Sequence, residues 1–232
     1  MSAQCPVWRC CAERSAKRIR CGTKFERQGL QAGYRSIAGV DEVGRGALFG
    51  PVLAAAVILN PSRRIPGIQD SKQLSPDRRE KLACEIRRYA VAWSVASADA
   101  AKIDEINIYQ ASRLAMREAV LRLNPVPDLL LVDALHLDLD IPQISIVKGD
   151  ALSVSIAAAS ILAKVERDGL MREWDRVFPQ YQLASNKGYP TPAHKAMLHK
   201  HGPTPLHRRS YAPVAAAARA AALSGLSSSN QQ

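Results

Sequence analysis

I-A-G-V-D-E-V-G-R-G at residues 37–46 is a strand-length apolar run that carries two acids and closes on a glycine–arginine–glycine bend. Beyond the bend, Pro51 to Leu59 is almost continuously apolar and stops at Asn60-Pro61, which predicts a second strand. Ser75-Pro76 then supplies a cap and a first-turn proline. With Leu82, Ile86 and Tyr89 at helical spacing, a helix of about 13 residues follows. Val91–Ala96 reads as a third strand, and Asn107 caps a helix whose inner face is Ile108, Ala111, Ala115 and Ala119. Leu129–Val132 is a buried-type strand finishing at Asp133, and Ile144–Val147 is another, running into Lys148-Gly149-Asp150. A long helix covers about residues 153–175, with Ile156, Ser160, Ala163 and Arg167 along one stripe. Thr191-Pro192 opens a short helix that Gly202-Pro203 stops. The order predicts an α/β fold, a mixed sheet with helices packed on it. There is no internal repeat and no glycine motif of the Walker or dinucleotide type.

The 232 residues are 47% hydrophobic and 23% charged, the balance of a globular chain with one substantial core. No apolar run approaches the roughly 18 residues of a membrane helix, and the start lacks the apolar segment of a secretory signal. The expectation is therefore a cytoplasmic protein with no membrane contact. An organelle transit peptide is the alternative for the acid-poor start. The net charge of +11 is uneven: residues 1–33 hold 7 basic and 2 acidic groups, and residues 176–232 hold 7 basic and no acidic groups. A nearly neutral body between two basic arms suits a polyanionic partner. Cys5, Cys10, Cys11 and Cys21 crowd the start and Cys84 stands apart, which is neither a disulfide framework nor a paired-knuckle zinc site. The chain divides into a basic, flexible extension (1–33), a core (34–178), a C-terminal helical element (179–211) and a disordered tail (212–232).

Acids inside or at the ends of apolar strands are the informative residues. Asp41 and Glu42 interrupt the first strand, Asp133 ends a later one, and Asp150 lies just past the next. Brought to one pocket, four carboxylates would repel one another unless a cation intervened, and an oxygen-rich set of this kind suits Mg²⁺ or Mn²⁺. The alternative is that each acid caps a turn. Lys72 is a candidate phosphate clamp or an ordinary loop lysine. Near the C-terminus, Lys187, Tyr189, His194, Lys195, Lys200, His201, His207, Arg208 and Arg209 surround one aromatic ring with positive charge. That pattern fits stacking on a sugar or base beside phosphate contacts, and equally a core tyrosine under a solvated face.

Six motifs in order resemble the ribonuclease HII family of bacterial type, the type 2 ribonucleases H. They are G-V-D-E-V-G-R-G (39–46), D-S-K-Q-L (70–74), L-V-D-A (131–134), K-G-D-A-L-S-V-S-I-A-A-A-S-I-L-A-K-V-E-R-D (148–168), N-K-G-Y-P-T-P-A-H (186–194) and H-G-P-T-P-L-H-R-R-S-Y (201–211). The resemblance implies a ribonuclease H-like fold: a five-stranded mixed sheet flanked by helices, with a C-terminal helical extension. It also implies a monomeric, Mg²⁺- or Mn²⁺-dependent endoribonuclease with two ions in the substrate complex. Such an enzyme hydrolyses the RNA strand of RNA–DNA hybrids and cuts 5′ of single ribonucleotides in duplex DNA, leaving 3′-hydroxyl and 5′-phosphate ends. Position by position, it makes Asp41, Glu42, Asp133 and Asp150 the catalytic metal ligands. Gly44, Arg45 and Gly46 become the 2′-hydroxyl reader, Tyr189 the junction sensor and Lys72 a phosphate contact; the charge pattern, not the resemblance, adds Lys187, Arg208 and Arg209 as substrate-binding residues. Asn186 stands where many relatives carry His, which touches the binding rim. The alternatives are a sugar-indifferent metal-dependent DNA nuclease of the same fold and a non-catalytic nucleic-acid-binding module. The sequence carries no reading of a protein partner such as a sliding clamp.

Overall fold

The computed structural model describes residues 21–229. Five strands, β1 (Ile37–Val43), β2 (Val52–Ile58), β3 (Ala92–Ala98), β4 (Leu129–Asp133) and β5 (Gln143–Ile146), form one sheet in the order β3-β2-β1-β4-β5. The first three pair antiparallel, while β1–β4 and β4–β5 are parallel, so the sheet is mixed as the sequence predicts. Eight helices accompany it among the described residues: α1 (Lys24–Gln31), α2 (Pro76–Tyr89), α3 (Ala100–Leu121), α4 (Gly149–Leu152), α5 (Val154–Val177), α6 (Leu183–Asn186), α7 (Pro192–His201) and α8 (Ala212–Ser229).

Strand alternation sorts the core into two layers. Ala38, Val40, Ala54, Ala56, Leu130 and Val132 pack with Ala111, Ala115, Met116 and Ala119 of α3. On the other face, Ala55 and Val57 pack with the small residues of α5 and with Leu82 and Ile86 of α2. The run of alanines on both sides lets α5 lie close to the sheet. At Gly39 the approach is closest: a Cβ there would stand 2.0 Å from the Ser155 carbonyl carbon, so any side chain would push strand and helix apart. No helix among the described residues is long and apolar enough to cross a membrane.

Helix starts follow their caps. Ser75 accepts a hydrogen bond from the Arg78 N–H, Ser153 from Ile156 and Thr191 from His194. The α3 helix begins seven residues before the expected Asn107, because Asp99 caps it by accepting from the Lys102 N–H. Asn107 still acts as predicted, since it breaks the helix with φ 66° and its Oδ1 recaps the second half at the Gln110 N–H.

Both termini differ from expectation. Residues 1–20 of the predicted extension, with Cys5, Cys10 and Cys11, lie outside the described residues. Residues 21–33 are part of the fold: Phe25 and Leu30 pack against Ile37, Leu129 and Ile156. Glu26 Oε1 accepts from the Ser153 hydroxyl at 2.6 Å and the Ser155 N–H at 3.0 Å. Its basic composition concealed one apolar face. The predicted tail likewise opens as α8, where Val214 and Ala217 join Leu48, Phe49, Met171, Tyr181 and Leu198 in a third cluster.

Candidate active site

The parallel pairing of β1 and β4 brings the first two carboxylates together. Val40 is in register with Val132, so the next residues, Asp41 and Asp133, follow side by side where β4 ends and its pairing with β1 stops. Asp133 Oδ1 accepts the Gly149 N–H at 2.7 Å, which pins the start of α4 and places Asp150 beside it. Lys148 turns the chain into this helix with φ 58°. Glu42 takes the opposite face to Asp41 but stays within the field of Asp133, and its Oε1 is 3.4 Å from Arg45 Nη1. The sequence reading required the strand to twist or end here for both acids to serve one site; β1 runs through both acids to Val43, paired with β2, and ends at Gly44, with φ 94°.

Electrostatics at the site favour neutral carboxyls. Asp41 is raised well above the ordinary carboxylate range by burial, then by the charges of Glu42 and Asp133; a Ser160 hydrogen bond opposes this. Burial also raises Glu42 against the pull of Arg45, and raises Asp133 against the Gly149 N–H. Glu42 Oε2 is buried with no hydrogen-bond partner. One cation is already present, with the Lys72 ammonium 2.7 Å from Asp150 Oδ2. Burial alone would lower that ammonium, but Asp150, helped by Asp70 and Asp41, holds it above its usual value. Lys72 rides on a short turn (Ser71–Gln73) capped by Asp70 and tied to α5 by a 3.0 Å contact between Ser71 Oγ and Ser160 Oγ. Among the described residues, no three acids, imidazoles or thiols stand close enough to form a complete metal-binding group. The donors themselves, hard oxygens with an orphaned buried atom and raised proton affinities, fit a divalent cation that would replace protons and the ammonium.

Beside the carboxylates, the 44–51 loop meets the turn before α7. The Leu48 N–H donates to Gly188 O at 2.8 Å, and a Cβ on Gly46 would stand 3.9 Å from Tyr189 Cε1. The half-buried Tyr189 ring has the Arg167 guanidinium 5.5 Å and the Lys164 ammonium 6.0 Å from its centroid. His194 fixes the backbone of this turn through Nδ1, 3.0 Å from Tyr189 O.

A family model, Ribonuclease HII, matches residues 38–214. Across 202 residues the chain is 60% identical to the ribonuclease HII of Solibacter usitatus, covering 87% of this chain and 89% of that protein. The chain belongs to the ribonuclease HII family. It is a ribonuclease H, an endoribonuclease of RNA–DNA hybrids, as the motifs at 39–46 and 148–168 implied. The ribonuclease HII of Koribacter versatilis is 58% identical over 201 residues, covering 87% of this chain and 79% of that one. The crystal structure of ribonuclease H2 from Pyrococcus horikoshii aligns with a TM-score of 0.72 at 26% identity, over 80% of this chain and 98% of that one. The ribonuclease H-like fold is thereby confirmed.

Within this ribonuclease HII chain, two sequence expectations need correction. Arg208 is fully buried and does not reach a surface ligand: Nε donates to Gly50 O at 2.9 Å and Nη1 to Arg45 O at 2.8 Å. His194 and His207 are buried, and burial lowers both, His207 to about 3, so neither adds charge to a basic face at neutral pH. The Lys187 ammonium turns back to Ala184 O at 2.6 Å. Arg209 is exposed, and its backbone N–H is held by Asp104. Two residues were missed as site components, Ser160 and Arg167. Their signal was present, because a serine and an arginine on the apolar stripe of α5 have no business in a core unless they hold something there.

Proposed function

We propose that this ribonuclease HII cuts on the 5′ side of single ribonucleotides embedded in duplex DNA, and within RNA–DNA hybrids, leaving 3′-hydroxyl and 5′-phosphate ends. Asp41, Glu42, Asp133 and Asp150 would hold two Mg²⁺ or Mn²⁺ ions. Bound there, the ions would supply an activated water and stabilise charge on the leaving 3′-oxygen. The carboxylates would keep those ions fixed at the β1–β4 junction in the middle of the sheet and remain charged once a cation offsets their mutual repulsion. Lys72, whose side chain is 78% exposed, swings from Asp150 to a substrate phosphate. Because water is the nucleophile, the ribose 2′-hydroxyl serves as the recognition handle. Gly44, Arg45 and Gly46 present backbone groups to it, and Tyr189 stacks on the neighbouring sugar. Lys187 and Arg209 flank the duplex on the 179–211 element, which carries the nucleic acid. The enzyme works in the cytoplasm, as a monomer, in removing ribonucleotides from DNA.

The observation that supports this reading most is the pairing of two constellations at the end of β1. Asp41 and Asp133 each follow the registered pair Val40–Val132, and the loop that leaves β1 carries Gly46 close enough to Tyr189 that a Cβ on it would stand 3.9 Å from the ring. The test is a duplex containing one ribonucleotide beside an all-DNA control, each with Mg²⁺, Mn²⁺ or chelator, with the cut mapped at nucleotide resolution. A single cut 5′ of the ribonucleotide, only with metal and only in the first duplex, is expected. Equal cutting of the all-DNA control would favour a sugar-indifferent nuclease.

A further inference from the structure

Arg167 is an arginine in the wrong place for an ordinary helix. It lies on the inner stripe of α5, fully buried, and none of its hydrogen bonds goes to a carboxylate. All go to main-chain carbonyls: Nε to Pro51 at 3.3 Å, Nη2 to Phe49 at 3.1 Å and Nη1 to Lys187 at 2.8 Å. Pro51 and Phe49 belong to the loop that follows Gly44-Arg45-Gly46, whereas Lys187 begins the turn that carries Tyr189. The guanidinium also underlies Gly44, where a Cβ would fall 2.3 Å from Nε, and it sits 5.5 Å from the Tyr189 ring centroid. One side chain thus touches both halves of the surface assigned above to sugar reading.

Burying a charge with no carboxylate hydrogen-bonded to it is costly, even with Asp168 next along the helix, and an apolar residue would fill the stripe at less cost. What an apolar residue lacks is a rigid planar fork of donors that fixes three carbonyls in direction as well as distance. Lysine lacks it too, since its ammonium is a point charge on a flexible stem. The second buried arginine, Arg208, grips the other side of the same loop through Gly50 O and Arg45 O. It makes no contact with the Tyr189 turn among the hydrogen bonds it forms, which leaves Arg167 as the side chain that reinforces the single main-chain bond from the Leu48 N–H to Gly188 O between the two segments.

Resting on the reading of Gly44–Gly46 and Tyr189 given above, we propose that Arg167 is a positioning residue for sugar discrimination. It locks the glycine–arginine–glycine loop and the Tyr189 turn into one register, so that adjacent sugars, one ribose and one deoxyribose, are read as a unit. The hydrolytic groups at the β1–β4 junction do not depend on this link. A loosened link therefore costs more at a lone ribonucleotide, where both readings must coincide, than on a continuous hybrid, where every sugar of the cut strand is ribose.

The test uses the full chain with two variants. Arg167→Lys keeps a charge but loses the fork. Gly188→Ala keeps every charge and puts a methyl 2.9 Å from Phe49 O at a residue whose φ of 77° disfavours any side chain, which pushes the Tyr189 turn off the carbonyl that the fork shares with it. For each, kcat/KM is measured on a single-ribonucleotide duplex and on a continuous RNA–DNA hybrid, with a melting curve, in the wild-type and Tyr189→Ala backgrounds. The ratio of the two kcat/KM values should fall by roughly 10- to 100-fold, mostly through kcat. In the Tyr189→Ala background it should fall little further, because the link then has nothing left to align. Equal losses on both substrates, or losses that multiply with Tyr189→Ala, would overturn the proposal. Failure of both variants to fold would overturn it as well, by assigning the fork to the core alone. A wild-type enzyme that cuts the continuous hybrid but ignores single ribonucleotides would instead remove the sugar-reading assignment on which it rests.

Discussion

Adjacent arginines near the C-terminus should separate cleanly into a structural one and a binding one. Arg208 is buried with two hydrogen bonds to loop carbonyls, while Arg209 is exposed. In Arg208→Ala, Gly50 O and Arg45 O lose charged donors worth about 1.5–3 kcal/mol each. Arg45 O keeps the Tyr211 hydroxyl at 2.5 Å, and the unpartnered Arg208 Nη2 no longer has to be desolvated. Both corrections favour the lower end, about 3 kcal/mol, which for a chain of this size lowers Tm by roughly 6–12 °C. Arg209→Ala should leave Tm within about 1–2 °C, since exposed substitutions cost little. It should also reduce the slope of log affinity against log salt by about 1, the signature of one lost phosphate contact. Thermal melts by circular dichroism and binding of an uncleavable duplex across a salt series measure both. An unchanged Tm for Arg208→Ala together with a flattened salt slope would refute the assignment of Arg208 to the framework.

Three further outcomes follow from the geometry. Burial and neighbouring charge raise Asp41, Glu42 and Asp133, so the chelated wild type should gain from these three carboxyls a stability increment that is fully present below the ordinary carboxylate range. It should lose that increment as pH rises through the raised values; Asp41→Asn should flatten the pH–Tm profile and raise Tm at pH 7 while abolishing turnover, and a profile no flatter than wild type would contradict the account. Tyr189→Phe keeps a ring against the sugar and should retain part of the activity on a single-ribonucleotide duplex, whereas Tyr189→Ala should lose about 1–3 kcal/mol of transition-state stabilisation in kcat/KM. Deleting residues 1–33 removes the Glu26 bonds to Ser153 and Ser155 with α1, so urea unfolding should show a clear loss of stability rather than the unchanged fold expected of a loose arm.

Much of this arrangement was legible in the sequence because its signals were local. Strand-length runs with acids at 41, 42 and 133 gave both the sheet elements and the carboxylates, and the Ser75 and Thr191 caps gave helix starts. The missing parts depend on contacts between distant segments. Charge alone put Arg208 and His207 on a binding face, although a buried arginine that donates to carbonyls and an exposed one read alike in sequence. The α1 helix escaped notice because its few apolar residues find most of their partners in residues such as Leu129 and Ile156, more than ninety positions away. Arg167 was visible on the stripe of α5, but its purpose appears only when the 44–51 loop and the Tyr189 turn are folded onto it.

The central claim is that carboxylates converging at the ends of β1 and β4 hold the ions for hydrolysis. Asp133→Asn tests it most directly, because the change keeps the volume and removes the charge at the residue where the two strands meet Asp150. Single-turnover cleavage of a duplex with one ribonucleotide, at saturating Mg²⁺ and with folding verified by a melting curve, is the measurement. The expected result is loss of most of the cleavage in a variant that remains folded. Cleavage at a near-normal rate by folded Asp133→Asn would contradict the account.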